Sequence, residues 1–196
     1  MNTKINRARG RPRRFDPEAA VATAQRLFHA QGYDAVSVAE ITEALGINPP
    51  SFYAAFGSKA GLYARVLARY DATGAIPFAR LLRTDRPVAE SLAAVLEEAA
   101  RHYAATPESA GCLVVEGTRC NDPDAREATS AYNRAAEEAI RSYIADRHPA
   151  DAARLTDFVA TTMFGLSAKA RQGHSLDQLL ATARLAGAAL KSALPA

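Results

Sequence analysis

The chain has no tryptophan, only two methionines and two cysteines in 196 residues, and no long apolar run. Each shortage closes a class. Two cysteines cannot build a disulfide scaffold. If Pro107–Cys120 is one helix, Cys112 and Cys120 lie about 12 Å apart along it, beyond the ~7 Å that a disulfide spans. A reduced, cytoplasmic chain is expected. Without ~20 consecutive apolar residues there is nothing to cross a bilayer, and the basic start is not followed by the apolar segment of a secretory signal. Also missing are a glycine-rich phosphate loop, the spacing of a Cys-x-x-Cys or His-x-x-x-His pair, and a nucleophile elbow. The acid pairs Glu97-Glu98 and Glu137-Glu138 are adjacent on helices, so their carboxylates diverge instead of facing one reacting atom. No enzyme, cofactor or metal site is expected.

Acid is missing too, but only locally. The chain carries a formal charge of +3. Residues 1–14 hold Lys4, Arg7, Arg9, Arg11, Arg13 and Arg14 with no acid, whereas residues 15–63 set Arg26 and Lys59 against five acids. Residues 64–196 balance sixteen bases with sixteen acids. The three stretches are read as a basic arm, a small acidic module and a neutral larger domain.

What is present is helical signal. Hydrophobic residues make up 48%, period-two alternation is missing, and capping residues recur at helical spacing. Asp16 and Pro17 open a helix over Pro17–Gln31 that Gly32 closes. Ser37, with Glu40 completing a capping box, starts a short second helix whose inner stripe is Val38, Ile41 and Leu45, ended by Gly46. Pro49 and Pro50 fit only the first turn of a third helix, with Phe52 and Phe56 on one side and Gly57 at its end. Ser58 caps a fourth from Lys59. The segment 71–86 reads as an irregular link or short helix. Long helices follow from Pro87, through Pro107–Cys120, from Asp122, over Asp151–Arg171 and from Ser175. Nine to ten helices, all-α, are expected.

Helix, short glycine turn, helix is the signature of helix-turn-helix DNA binders, whose second helix enters the major groove. The residues from Ser37-Val38-Ala39-Glu40-Ile41 through Leu45-Gly46-Ile47, then Ser51-Phe52-Tyr53 with Phe56, Ser58 and Lys59, resemble the tetracycline-repressor (TetR) family of bacterial transcription regulators. The likeness runs over 15–63 and includes Phe28, Gly32 and Tyr33. It implies an all-α homodimer, an N-terminal helix-turn-helix domain at 15–63, and a larger domain at 64–196 for ligand binding and dimerisation. It also implies a repressor that binds a palindromic double-stranded operator and leaves when a small-molecule effector shifts the fourth helix.

Site residues follow from chemistry and likeness together. Ser37 sits at a helix N-terminus, where hydroxyl and N–H groups hold phosphate. Asn48, Ser51 and Tyr53 supply polar readout, and Pro49, Pro50 and Ala54 present apolar groups to thymine methyls. By resemblance Lys59 contacts phosphate. Arg-Gly-Arg-Pro in the arm resembles an AT-hook, so Arg9, Arg11, Arg13 and Arg14 are expected in a narrow A·T minor groove.

A ligand pocket is expected between Leu81 and Phe164, with Tyr103, Leu113, Val114, Phe158 and Phe164 as walls, Cys112 beside them, and His102, Glu116 and Tyr132 as polar contacts. Cys112 is read first as a small buried hydrophobe, with a thiol whose pKa a nearby helix start lowers as the lesser alternative. Met163, Leu176, Leu180, Ala183 and Gly187 are assigned to the dimer interface, although core packing within the subunit explains the same pattern. Two readings from other classes stay open: an architectural A·T binder acting through the arm, and a helical ligand-binding protein whose head is vestigial.

Overall fold

The computed structural model describes residues 16–194. Among them ten α-helices and one 3-10 turn succeed one another with no strand. The first four are α1 (Pro17–Gln31), α2 (Val38–Leu45), α3 (Pro49–Phe56) and α4 (Lys59–Gly74). They start where the capping residues place them. The Asp16 carboxylate accepts from the Glu18 N–H at 3.0 Å, Asn48 from the Ser51 N–H at 2.9 Å, and Ser58 from the Gly61 N–H at 2.9 Å. The capping box at α2 is only half formed. Ser37 accepts from the Glu40 N–H, but the Glu40 carboxylate turns to accept from the Gln31 side chain. α4 also runs a turn beyond Tyr70, to Gly74, before the four-residue α5 (Phe78–Leu81).

The rest is α6 (Val88–Tyr103), α7 (Leu113–Gly117), α8 (Pro123–Ala145), α9 (Ala152–Arg171) and α10 (Leu176–Ala193). The single helix expected over 107–120 is not there. A 3-10 turn at Pro107–Ser109 and the short α7 replace it. The break has a physical cause: Gly111 takes φ +82°, a left-handed conformation, and an added Cβ would lie 3.0 Å from both Arg171 Cγ and Ser167 Oγ. Only glycine fits that backbone and that gap together. Cys112 and Cys120 therefore share no helix; both are free thiols.

Two buried clusters organise the fold. One joins Val21, Phe28, Ile41, Phe52, Phe56, Leu62 and Tyr63 with Val66, Leu67 and Tyr70 farther along α4, and takes in Leu113, Cys120 and Ala125 from beyond the head. The other is built from α6, α8, α9 and α10 around Leu92, Leu96, Ile140, Leu155, Val159, Leu179 and Leu190. α4 passes position 63 without interruption, so the head is anchored on a helix that continues into the body. At that seam the Tyr33, Phe28 and Tyr63 rings pack with centroids 4.8–5.6 Å apart, contacts worth about 0.5–1.5 kcal/mol each beyond their burial.

Candidate nucleic-acid interface and ligand cavity

α3 divides into two faces. Phe52 and Phe56 point into the core, while Asn48, Pro49, Pro50, Ser51, Tyr53 and Ala54 are exposed. The turn that aims this face is Gly46-Ile47-Asn48. Gly46 sits in the left-handed region at φ +64° and returns its N–H to Glu43, a closure that glycine makes without steric cost. Tyr53 is 52% exposed, large for an aromatic ring, and is propped edge-on against Phe52 at 5.2 Å. The Asn48 carbonyl oxygen is already spent on its cap, so the bidentate grip of a free Asn on adenine is closed to it. Ser37 caps α2 with its oxygen and keeps its hydroxyl proton for a phosphate.

Lys59 stands over an aromatic ring. Its ammonium lies 4.1 Å from the centroid of the Tyr33 ring, an attraction between cation and π face, and the residue is half-buried. Burial pushes its pKa down, against the pull of Asp34 and Asp122. Arg9, Arg11, Arg13 and Arg14 lie outside the described residues.

The ligand cavity lies between α4, α7, α8 and α9. Its volume is about 340 Å³, at the lower end of the ~300–1,000 Å³ usual for small-molecule sites. Tyr103, Cys112, Val114, Tyr132 and Phe164 of the expected set line it, together with Tyr70, Asn133, Ile140 and Met163, which the sequence did not single out for it. Periodicity cannot tell a core position from a cavity wall, because both are apolar and inward. The other expected contacts are engaged elsewhere. Leu113 is fully buried in the head-side cluster, Glu116 pairs with Arg119 and Arg171, and Phe158 belongs to a groove on the outer side of α9. His102 stands behind the wall, its Nε2 3.3 Å from the Tyr70 hydroxyl.

The Cys112 thiol sits in the cavity wall as a small hydrophobe and not as an activated thiol. It receives the Tyr70 hydroxyl at 3.7 Å, yet burial pushes its pKa up, not down. One turn of helix offers too little dipole to offset that desolvation. The cavity thus sets a few polar side chains on apolar walls, among them the carboxylates of Asp71 and Glu137, the latter accepting from the Asn133 amide at 2.8 Å.

The dimer assignment divides in the same way. α10 turns its small stripe inward: Ala183 and Gly187 are buried, and a Cβ on Gly187 would come within 2.9 Å of Ala93 Cβ on α6. Leu180 is in the body core and Met163 faces the cavity. Of the five residues named, only Leu176 is exposed. The outward apolar groove is made instead by Phe158, Thr162, Leu166, Leu185 and Ala189, with Leu185 75% exposed. The sequence signalled close helix approach correctly, but the partner is α6 of the same chain.

One buried group joins head and body. His29, at the end of α1, lies 3.2 Å through Nε2 from the Gly111 carbonyl. A carbonyl only accepts, so Nε2 carries the proton. Burial, with the neighbouring Arg171 charge adding to it, lowers the imidazole from its ordinary 6.5 to about 4. A base held neutral in the fold contributes stability that is whole above pH 6.5 and is lost as pH falls towards 4. Between pH 7 and pH 4 the protein is expected to lose about 2–3 kcal/mol more than a His29→Gln variant, which keeps a donor but does not titrate. Urea unfolding at the two pH values checks this. An equal loss in both proteins would reject it.

Among the described residues no helix is long and apolar enough to cross a membrane, and no group of acid, histidine and cysteine side chains is arranged to hold a metal ion.

Comparison with known proteins agrees with the head's geometry. Residues 20–66 match the family described as bacterial regulatory proteins, tetR family. Over 194 residues, 99% of this chain and 98% of the relative, the sequence is 59% identical to the HTH-type transcriptional repressor BdcR of Escherichia coli (strain K12). It is 31% identical to the HTH-type transcriptional repressor ComR of the same organism, over 95% of this chain and 93% of the relative. Among solved structures, a cysteine mutant of the TetR family transcriptional regulator CifR, complexed with 26bp double-strand operator DNA, superposes with a TM-score of 0.81 at 34% identity. The match covers 91% of this chain and 99% of that one. The reduced form of E. coli NemR, at 17% identity and a TM-score of 0.70 over 91% of this chain and 96% of that one, shares the fold.

Proposed function

This chain belongs to the tetR family of bacterial regulatory proteins, and from that membership we propose that it is a dimeric, cytoplasmic repressor that reads a palindromic operator and is released by a small-molecule effector. It acts by binding and not by catalysis. The division of labour follows the charge: an arm at 1–14 for affinity, a head at 15–63 for choice of site, and a body at 64–196 for effector and partner. The single observation that carries the reading is the exposed face of α3, aimed outward by the Gly46 turn with Tyr53 and Ser51 at its centre. The cavity between α8 and α9 supports the effector, and the outward groove with Leu185 supports a second copy of the chain.

The chemistry of that face also limits what it reads. It carries no Arg or Lys to grip guanine, and Pro49, Pro50 and Ala54 present only carbon and hydrogen. Thymine methyls are what such groups recognise. In a duplex selected by the protein from a random pool, replacing each half-site thymine by deoxyuridine, which lacks the methyl, is expected to weaken binding about fourfold per contacted position, the worth of one buried carbon. Fluorescence anisotropy reads this directly. Indifference to deoxyuridine, coupled with sensitivity to 7-deazaguanine, would transfer the readout to guanine and sink the assignment. Failure to enrich any duplex would favour the vestigial head.

A further inference from the structure

We propose that the corner between α1 and α2, residues 29–34, is the part of the head on which the effector acts, because two of the helices that flank the cavity, α8 and α9, are each clasped to it. The proposal rests on the effector reading above and adds the residues that transmit it: Asp34, Tyr33 and Arg171 as positioning residues, touching neither effector nor DNA.

The first clasp is at the start of α8. The Asp34 carboxylate accepts from the Asn121 backbone N–H at 2.9 and 3.1 Å and from its side-chain amide at 3.0 Å. Beside it the Tyr33 hydroxyl donates to Asp122 at 2.8 Å, while the other oxygen of Asp122 caps α8 by accepting from the Asp124 and Ala125 N–H groups. The second clasp is at the end of α9. Arg171 donates to the His29 carbonyl at 2.8 Å and to the Ala30 carbonyl at 3.5 Å. These carbonyls close α1, where a helix has no further N–H to offer and where a cation also meets the negative end of the dipole. His29 itself donates to Gly111, and the next residue's N–H, Cys112, is held by Ser167 of α9 at 2.9 Å.

The spacing makes these clasps levers. Tyr132, the first cavity residue of α8, is ten residues or about 15 Å from Asp122, and Phe164 on α9 is seven residues or about 10 Å from Arg171. Two anchors within five residues of each other on one corner are therefore carried by two rigid rods, and the cavity lies between the rods. An occupant that spreads α8 from α9 alters the separation of the anchors. The corner turns in response, and with it α2 and α3. Stretched but intact clasps are required: once cut, cavity and head respond separately. Coupling in this sense is a free energy shared by two sites.

A side chain built into the cavity serves as the probe. Ala136→Phe fills it from α8 and Ala160→Phe from α9, the second being used where the first fails to fold, as judged by its melting curve. Each is measured in the unmodified chain and in a chain carrying Tyr33→Phe and Asp34→Ala with Arg171→Met. Two readouts are taken: affinity for the selected duplex, and hydrogen exchange of residues 33–45 without DNA. In the clasped chain the filling residue is expected to weaken the duplex about tenfold, within the 5–150-fold range of allosteric coupling, and to speed exchange in 33–45. In the unclasped chain it is expected to change affinity less than twofold and exchange not at all. An equal tenfold loss in both chains, or no loss in the clasped one, overturns the proposal. Where no duplex is ever selected the DNA reading fails, and hydrogen exchange alone decides on the clasps.

Discussion

Removing residues 1–14 is expected to weaken operator binding at least a hundredfold at about 0.1 M salt and to flatten its salt dependence. Those fourteen residues hold six bases and no acid, whereas the head that follows sets two bases against five acids. One of those two, Lys59, is turned over the Tyr33 ring, and the other, Arg26, donates to Thr23 on its own helix. Nearly all non-specific affinity for duplex DNA comes from cations that displace counterions, with a slope of log K against log salt of about −0.9 for each phosphate neutralised. Deleting one arm is therefore expected to reduce the slope by up to about 5. A salt titration by anisotropy measures both effects. An all-lysine arm separates charge from shape: it should restore the slope but not the preference for A·T tracts, since arginine in a narrow minor groove draws on geometry as well as charge. Unchanged affinity after deletion would move the burden back to the head. The architectural reading makes a different forecast, in which binding survives Tyr53→Ala and loses all sequence preference with the arm.

The head was legible in the sequence because its signals are local. Asp16, Ser37 and Ser58 each cap a helix within three residues of themselves, and Phe52 with Phe56 assigns the faces of α3 by spacing alone. None of this depends on distant chain. The clasps were not legible for the opposite reason. Asp34 and Asn121 are 87 residues apart, Arg171 and His29 142 apart, and nothing in composition or period singles out such pairs. Lys59 shows what a motif leaves out: its place after the third helix is local, but the Tyr33 ring beneath it and the charges of Asp34 and Asp122 near it meet it only in three dimensions. At Cys112 only the lesser alternative, an activated thiol, fails: Gly111 leaves a helix of a single turn there, so burial prevails over dipole.

The helix pair α9 and α10 presents the same contrast between pattern and partner, and it leads to the second large effect. Leu185→Glu is expected to convert the dimer to a monomer at micromolar concentration, as read by sedimentation velocity, and to cut operator affinity at least a hundredfold. Leu185 is 75% exposed in the subunit, so a carboxylate there disturbs nothing within the chain. It matters only if another surface covers it. In that case a buried, unpaired charge is severely unfavourable. The affinity loss follows from geometry, because two heads on one palindrome bind with the effective concentration of a linked pair, and separate heads do not. Ala183→Leu provides the opposite case. Ala183 has no exposed surface and lies in the body core, so the added carbons overpack that core at a cost of about 1–3 kcal/mol while leaving the outer groove intact. Its unfolding midpoint should fall, yet at concentrations where the subunit is folded it should remain a dimer. If instead Ala183→Leu dissociates the dimer and Leu185→Glu does not, the inward stripe is the subunit interface after all, and α6 of the partner, not of the same chain, would have to be what it packs against.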